Sequence, residues 1–384
     1  MVLLSKRSFS LVALVVALMM LAGCGGGGGN APAAKAPTEI TIGLTAPMTG
    51  DYAEYGTVFK NAAELAIEKV NAQGGVNGKK LKLVVGDSKA DPKEAANIAQ
   101  KFVSDAGVMA VIGDFTSTAA LAGAPIYQKG GLVQLSPTSS HPDFTKQGTF
   151  IFRNIASQAV EGPALADYTV KDLKKKRVAV VYIKNDWGLV AQEFFVKRTK
   201  EIGAEVVAIE PFLPEQGKDF SAIITKIKEQ KPDLLYLGMM YTDGALFAQQ
   251  VKKANFDVAM CGTGALYSSE LIKLGGSAVE GLYLTVSFFP DDPKPVVQDF
   301  VKSYQAKYNK LPTQFAAQAY DAANLIIEAL KKGATDRKTL RDNLAGIKDF
   351  PGVTGNTTFD ANRDVNKTMS RLVIKDGKYI PFKP

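Results

Sequence analysis

The chain has 384 residues, 46% hydrophobic, 22% charged and 9% aromatic, with 35 Gly and 18 Pro; this is the composition of a folded protein, and at roughly 150 residues per domain it predicts two domains. The formal net charge of +8 comes from 46 basic and 38 acidic residues spread along the chain, which excludes a concentrated nucleic-acid footprint. One histidine, His141, and two cysteines, Cys24 and Cys261, exclude a disulfide framework, leave too few ligands for a zinc site, and argue against imidazole-dependent hydrolysis.

Lys6 and Arg7 form a short basic segment, and an apolar stretch runs from Phe9 to Leu21; at about 13 residues it has the length of an export signal and is short for a bilayer span. It ends in Leu21-Ala22-Gly23-Cys24, which resembles the lipobox of bacterial lipoproteins. That resemblance implies acylation of Cys24, which becomes the new N-terminus. Gly25 to Gly29 and the Ala/Pro stretch to Pro37 read as a flexible tether. The expectation is a signal at 1–23, a tether at 24–37, and a body held by its lipid outside the cytoplasm. Cys261 is then expected to be a buried free thiol.

From Glu39 onward, short β-branched runs alternate with amphipathic stretches, the pattern of an α/β protein with parallel sheets. Predicted strands are Ile40–Leu44, Leu81–Val85, Val108–Ile112, Leu132–Leu135, Val178–Ile183, Val206–Ile209, Leu234–Leu237, Val258–Met260 and Gly281–Val286. Most are continuously apolar, as strands covered on both faces should be. Helical spacing marks Phe59–Asn71, Ala191–Lys200, Phe220–Lys228, Gly244–Lys253 and Pro312–Lys332. The basic run Lys171 to Arg177 reads as the C-terminal end of a helix. The elements fall into two sets, before and after about residue 157, which predicts two doubly wound domains with ligand sites at the C-terminal ends of their strands.

The loops at those ends are rich in hydroxyls: Thr45 to Gly50, Asp114 to Thr118, and Ser136 to Ser140. Ser117 and Thr118 immediately precede an Ala-rich helix, where one hydroxyl serves as N-cap. The remaining hydroxyls, with free N–H groups at a helix N-terminus, make a natural carboxylate site.

At this point the chain resembles the type I periplasmic binding proteins, and among them the branched-chain amino acid receptors of ATP-driven importers. The resemblance spans nearly the whole mature chain. It is carried by Ile42-Gly43-Leu44-Thr45-Ala46-Pro47-Met48-Thr49-Gly50 with Tyr55-Gly56, by Ile67 through Gly78, by Asp87 with Asp91-Pro92, and by Val111-Ile112-Gly113 and Ser136-Pro137. Lys218-Asp219-Phe220-Ser221, Glu280-Gly281, Tyr320-Asp321-Ala322-Ala323 and Thr358-Phe359-Asp360 complete it. The order and spacing of these segments together are specific.

The resemblance implies two lobes joined by three crossovers, a flytrap that closes on a small ligand by hinge motion. The lobes would be 38–157 with 289–365, and 158–288 with 366–384. It assigns Ser117 to the ligand carboxylate, Thr138 to backbone contacts, and Ser140 to both carboxylate and ammonium. Tyr55 and Trp187 match aromatic walls, and Phe315 a further apolar contact or a core position. In the family the loop after Val258–Met260 supplies an acid for the ligand ammonium. Here it reads Cys261-Gly262-Thr263-Gly264-Ala265, with Thr263 in place but no acid. Asp243 in Met240-Tyr241-Thr242-Asp243-Gly244 is the nearest substitute, or a helix N-cap; Asp114 and Asp186 are weaker ones, and Tyr241 would hydrogen-bond the polar head.

Two ligand classes follow: an aliphatic or aromatic amino acid, or a carboxylate or amide without an ammonium, such as an aromatic acid. The implied partners are a permease and an ATPase, with no cofactor, no nucleic acid, and a monomeric state. An enzyme fits poorly. Gly78-Lys79 has Gln73 and Lys80 where a phosphate-binding loop needs glycine and a hydroxyl, and Gly262-Thr263-Gly264 has Tyr267 where a dinucleotide fingerprint needs its third glycine. His141, before Pro142, reads as a turn residue at the cleft rim.

Overall fold

The computed structural model describes residues 39–213 and 217–382. The segments expected to be an export signal and a tether, with Cys24 between them, lie outside the described residues. The first elements are β1 (Glu39–Ala46), α1 (Ala53–Ala72), β2 (Lys80–Asp87), α2 (Pro92–Ser104), β3 (Val108–Ile112), α3 (Ser117–Lys129), β4 (Val133–Ser136) and β5 (Ile151–Arg153). Their strands form a parallel sheet in the order β2-β1-β3-β4-β5. The central strands β1 and β3 carry buried apolar runs, whereas edge strand β2, with Lys80 and Lys82, is only partly covered.

The chain then builds α4 (Gln158–Asp167), β6 (Arg177–Ile183), α5 (Asp186–Glu201), β7 (Glu205–Phe212), α6 (Ser221–Glu229), β8 (Leu234–Gly238), α7 (Tyr241–Lys253), β9 (Ala259–Gly262), α8 (Ser269–Gly275) and β10 (Tyr283–Val286). It returns through α9 (Pro295–Tyr308), α10 (Gln314–Lys331), α11 (Arg337–Ala345) and the hairpin β11 (Phe350–Gly352) and β12 (Gly355–Thr357), and ends in β13 (Ser370–Lys375) and β14 (Lys378–Pro381). The second sheet has the order β14-β13-β10-β9-β8-β6-β7. From β7 to β10 it is parallel and repeats the order of the first sheet; β13 and β14 add an antiparallel edge.

Both sheets therefore reverse strand order at one place, between β1 and β3 and between β6 and β8. Open α/β sheets present their ligand crevice outside the carboxyl ends of the strands at such a point. The two doubly wound parallel sheets expected from the sequence are present, and the chain passes between them three times: from β5 to β6, from β10 to β11 and from β12 to β13. On the second passage α10 packs along α1. Its polar residues, Gln314, Gln318, Asp321, Asn324, Glu328 and Lys331, fall on one stripe and the remaining faces are apolar and mostly buried, which explains its strong helical signature.

Strands β5, β11, β12, β13 and β14 were not anticipated. Three of them are only three residues long, β13 buries only alternate positions, and the edge strand β14 buries none fully, so none offers a continuous apolar run. The basic run at Lys171 begins in a π-helical turn, Tyr168–Asp172, that continues α4, and Arg177 opens β6. Cys261 is a buried free thiol whose pKa burial raises.

Candidate ligand-binding site

A cavity of about 60 Å³ lies where the carboxyl ends of the two sheets meet. A water needs roughly 10–15 Å³ on this scale, so the cavity suits a small organic molecule. Its first wall comes from the loops after β3 and β4. Thr116 is the N-cap of α3, its Oγ1 accepting from Ala119 N at 3.2 Å. The cap is thus Thr116, and Ser117, the first helical residue, keeps its hydroxyl for other partners. Ser139 Oγ, 3.5 Å away, is one. The first-turn N–H groups of Ser117 and Thr118 have no intrahelical acceptors.

The second loop is held rigid by its own hydroxyls. Ser136 Oγ donates to Asp114 O at 2.8 Å, and Thr138 Oγ1 donates to Phe115 O at 2.7 Å. Ser140 takes two bonds from Gln158: its carbonyl accepts the backbone N–H at 2.9 Å and its Oγ accepts Nε2 at 3.1 Å. Arg153, fully buried, donates to the carbonyls of Ser139, His141 and Pro142 and pairs with Asp364. His141 Nδ1 accepts from Asp143 N at 3.1 Å, so the histidine shapes a turn.

The opposite wall is assembled from distant segments. Asn185 caps α5 and sets Trp187 against the cavity. Met240 follows β8, and Thr263, Gly264 and Ala265 follow β9. Thr263 Oγ1 is spent on the turn, accepting from Ala265 N at 3.2 Å. Gly264 accepts at its carbonyl from Gln314 Nε2 at 2.5 Å, and a Cβ there would meet that nitrogen at 2.1 Å, so any other residue would push the Gln314 amide aside. Phe115 and Phe315 complete an apolar side.

The sequence did not single out Glu161, Gln158, Gln314, Gln318 or Lys367, all of which line the cavity. Glu161 Oε2 accepts from Gln158 Nε2 at 2.6 Å, and Oε1 accepts from Gly264 N at 3.3 Å. Burial pushes its pKa up to about 7, against the lowering effect of those bonds. Lys367 lines the cavity, and its ammonium donates to Thr354 Oγ1, Gly355 O and Thr357 Oγ1. Its pKa is lowered by burial, with Asp321 acting in opposition.

Of the residues expected at the site, Ser117, Thr138, Ser140, Trp187 and Thr263 share this cavity, and Phe315 joins them. Tyr55, Tyr241 and Asp243 do not line it. Tyr55 stacks on Phe115 with ring centroids 4.1 Å apart and meets Phe315 edge-on at 4.9 Å, one layer behind the wall. Tyr241 packs edge-on against Tyr55 at 5.5 Å. Asp243 lies in the first turn of α7, whose N-cap is Met240, and its nearest cation is Lys218 at 3.9 Å. It is therefore neither cap nor cavity acid. Asp114 is buried and bonds to Phe115 N, and neither it nor Asp186 reaches the lining.

The sequence profile of the family described as periplasmic binding protein matches residues 39–378. The chain is 32% identical over 330 residues to the leucine-, isoleucine-, valine-, threonine- and alanine-binding protein of Pseudomonas aeruginosa, covering 85% of this chain and 87% of that one. Among solved structures it is similar to the branched-chain amino acid transporter substrate-binding protein LivJ of Streptococcus pneumoniae in complex with isoleucine, with 30% identity, a TM-score of 0.84, and 89% and 97% of the two chains covered. A solute-binding protein of an ABC transporter from Rhodopseudomonas palustris, in complex with 3,4-dihydroxybenzoic acid, is similar at 25% identity and a TM-score of 0.82, over 90% and 96% of the chains.

Proposed function

The chain belongs to the periplasmic binding protein family, a family of non-enzymatic transport components, and from that premise we propose that it is the lipid-anchored receptor of an ATP-driven importer for an aliphatic or aromatic amino acid. The observation that carries this reading is the first wall. Ser117 opens α3 there and Ser140 lines the same cavity, and at a helix N-terminus donors and dipole favour a carboxylate. Phe115, Trp187, Met240 and Phe315 supply the apolar surface a side chain needs.

The lobes we assign are 38–157 with 289–365, and 158–288 with 366–384, closing about the three passages to present a liganded surface to a permease and its ATPase. Cys24 would hold this monomer at the outer face of the membrane. A second reading, an aromatic acid lacking an ammonium, draws on the acid-free loop Cys261–Ala265 and on the dihydroxybenzoate-bound neighbour.

The test is thermal unfolding of the mature body, stripped of carried-over ligand, with L-amino acids and their matching 2-keto acids. A ligand at a thousand times its Kd adds about 4 kcal/mol and raises Tm by several degrees. Stabilisation by L-amino acids is the expected result. Stabilisation by keto or aromatic acids alone would replace the amino-acid reading with the second one.

A further inference from the structure

The cavity has a clear polarity. Its first wall offers hydroxyl and N–H donors, while the far side collects acceptors. Among the described residues Glu161 is the sole carboxylate on the lining, and Lys367, the sole cation there, has its ammonium engaged by three oxygens of the β11–β12 hairpin. Two further acceptors, Gln158 Oε1 and Gln318 Oε1, are buried without a hydrogen-bond partner. Both side chains line the cavity and are 1% exposed. Their amide nitrogens are occupied, Gln158 Nε2 by Ser140 Oγ and Glu161 Oε2, and Gln318 Nε2 by Ser287 Oγ. Buried acceptors left open cost free energy unless something donates to them.

We propose that Glu161 receives the ligand's ammonium, in place of the acid that the loop after β9 lacks, and that the amide oxygens of Gln158 and Gln318 accept its other protons. The inference rests on the amino-acid reading above. An ammonium has three donors and needs a neutralising charge when desolvated. The Gly264 N–H, the backbone of that acid-free loop, points to Glu161 Oε1 at 3.3 Å. The carboxylate thus reaches that loop from α4 at the first passage between the sheets, and closure would bring it against a ligand already seated on the first wall.

Glu161 faces Gln158 on its own helix, Thr285 on β10, the Gly264 N–H and the Tyr236 phenol on β8. Lys367 shares the cavity and is held as described. Burial lifts Glu161 to about 7, so a bound ammonium draws the group into its ionised form, and acidification opposes binding.

The experiment is calorimetric titration of ligand-stripped wild type and Glu161→Gln with L-leucine and with its 2-keto acid. Glu161→Gln should weaken leucine roughly 10- to 100-fold, as for loss of a hydrogen bond to a charged group. Its keto-acid affinity should stay the same or improve, which also shows the variant folded. Leucine binding at wild-type affinity would overturn the assignment and leave the amino-acid reading standing. Failure of the wild type to bind any amino acid would overturn that reading, and the assignment with it. Should the variant not fold, the wild type decides. From pH 7.5 to 5.5 leucine should weaken about tenfold or more, and the keto acid, which controls for His141 and Asp114 titrating elsewhere, should not. Equal pH dependence of the two ligands overturns the proposal.

Discussion

The two walls of the cavity are built on opposite principles. The first uses two adjacent loops of one sheet, the hydroxyls of the later one donating to the backbone of the earlier, Ser136 to Asp114 O and Thr138 to Phe115 O. The second draws on α4, the loops after β6, β8 and β9, the start of α10 and the last passage. A wall made from neighbours in sequence is rigid before a ligand arrives. A wall whose pieces belong to several passages of the chain is completed only when those passages come together, as Gln314 with Gly264 O and Glu161 with Gly264 N show. The donors thus sit on the prebuilt side and the acceptors on the assembled side.

The hardest blow to this contrast is at Arg153. Its guanidinium, without solvent exposure, ties the carbonyls of Ser139, His141 and Pro142 to Asp364. Replacement by Met would leave those buried carbonyls without their donor, a loss of about 3 kcal/mol, while the partly exposed Asp364 keeps Thr145 Oγ1 as a partner. Urea denaturation of Arg153→Met should show it, and ligand affinity should fall as Ser140 loosens. A stability change under about 1 kcal/mol would mean that the first wall does not depend on its staple and is no more prebuilt than the second.

A smaller effect sharpens the contrast from inside the first wall. Ser117→Ala removes a hydroxyl that capping does not use, since Thr116 caps α3. Calorimetry should read a loss of about 1–3 kcal/mol in amino-acid binding, with the thermal stability of the ligand-free protein little changed. Unchanged affinity would move the carboxylate anchor away from the N-terminus of α3.

The same contrast explains what the sequence could say. Parallel strands such as β6 and β8 are legible because burial on both faces leaves continuous apolar runs. Ser117, Thr138 and Ser140 are legible because a hydroxyl cluster after a strand is a local pattern. Glu161 is an acid one turn into a helix, and nothing within a few residues distinguishes it from a solvated one. Its meaning comes from Gly264, 103 positions away. Asp243 illustrates the converse: a loop acid beside a family position looked suited to the ligand, yet Met240 is the residue of that segment that reaches the cavity. Tyr55 was expected as an aromatic wall and stands behind it, because Phe115 and Phe315 occupy the layer in front, and Tyr241, expected to bond the polar head, packs against Tyr55.

The smallest predicted effect is at Asp243, and it discriminates between the two possible acids. Asp243 is mostly buried, which raises its pKa, and Lys218 opposes that rise from 3.9 Å while Asp51 adds to it. The Lys218 side chain is 43% exposed, so the pair is worth at most about 1 kcal/mol. Asp243→Asn should therefore alter amino-acid affinity by less than about threefold, measured beside Glu161→Gln under the same conditions. A drop of tenfold or more would mean that on ligand binding α7 turns its first-turn carboxylate into the cavity. The ammonium would then be held by the second sheet itself and not by α4 at the first passage, and the acceptors around Glu161 would need another donor.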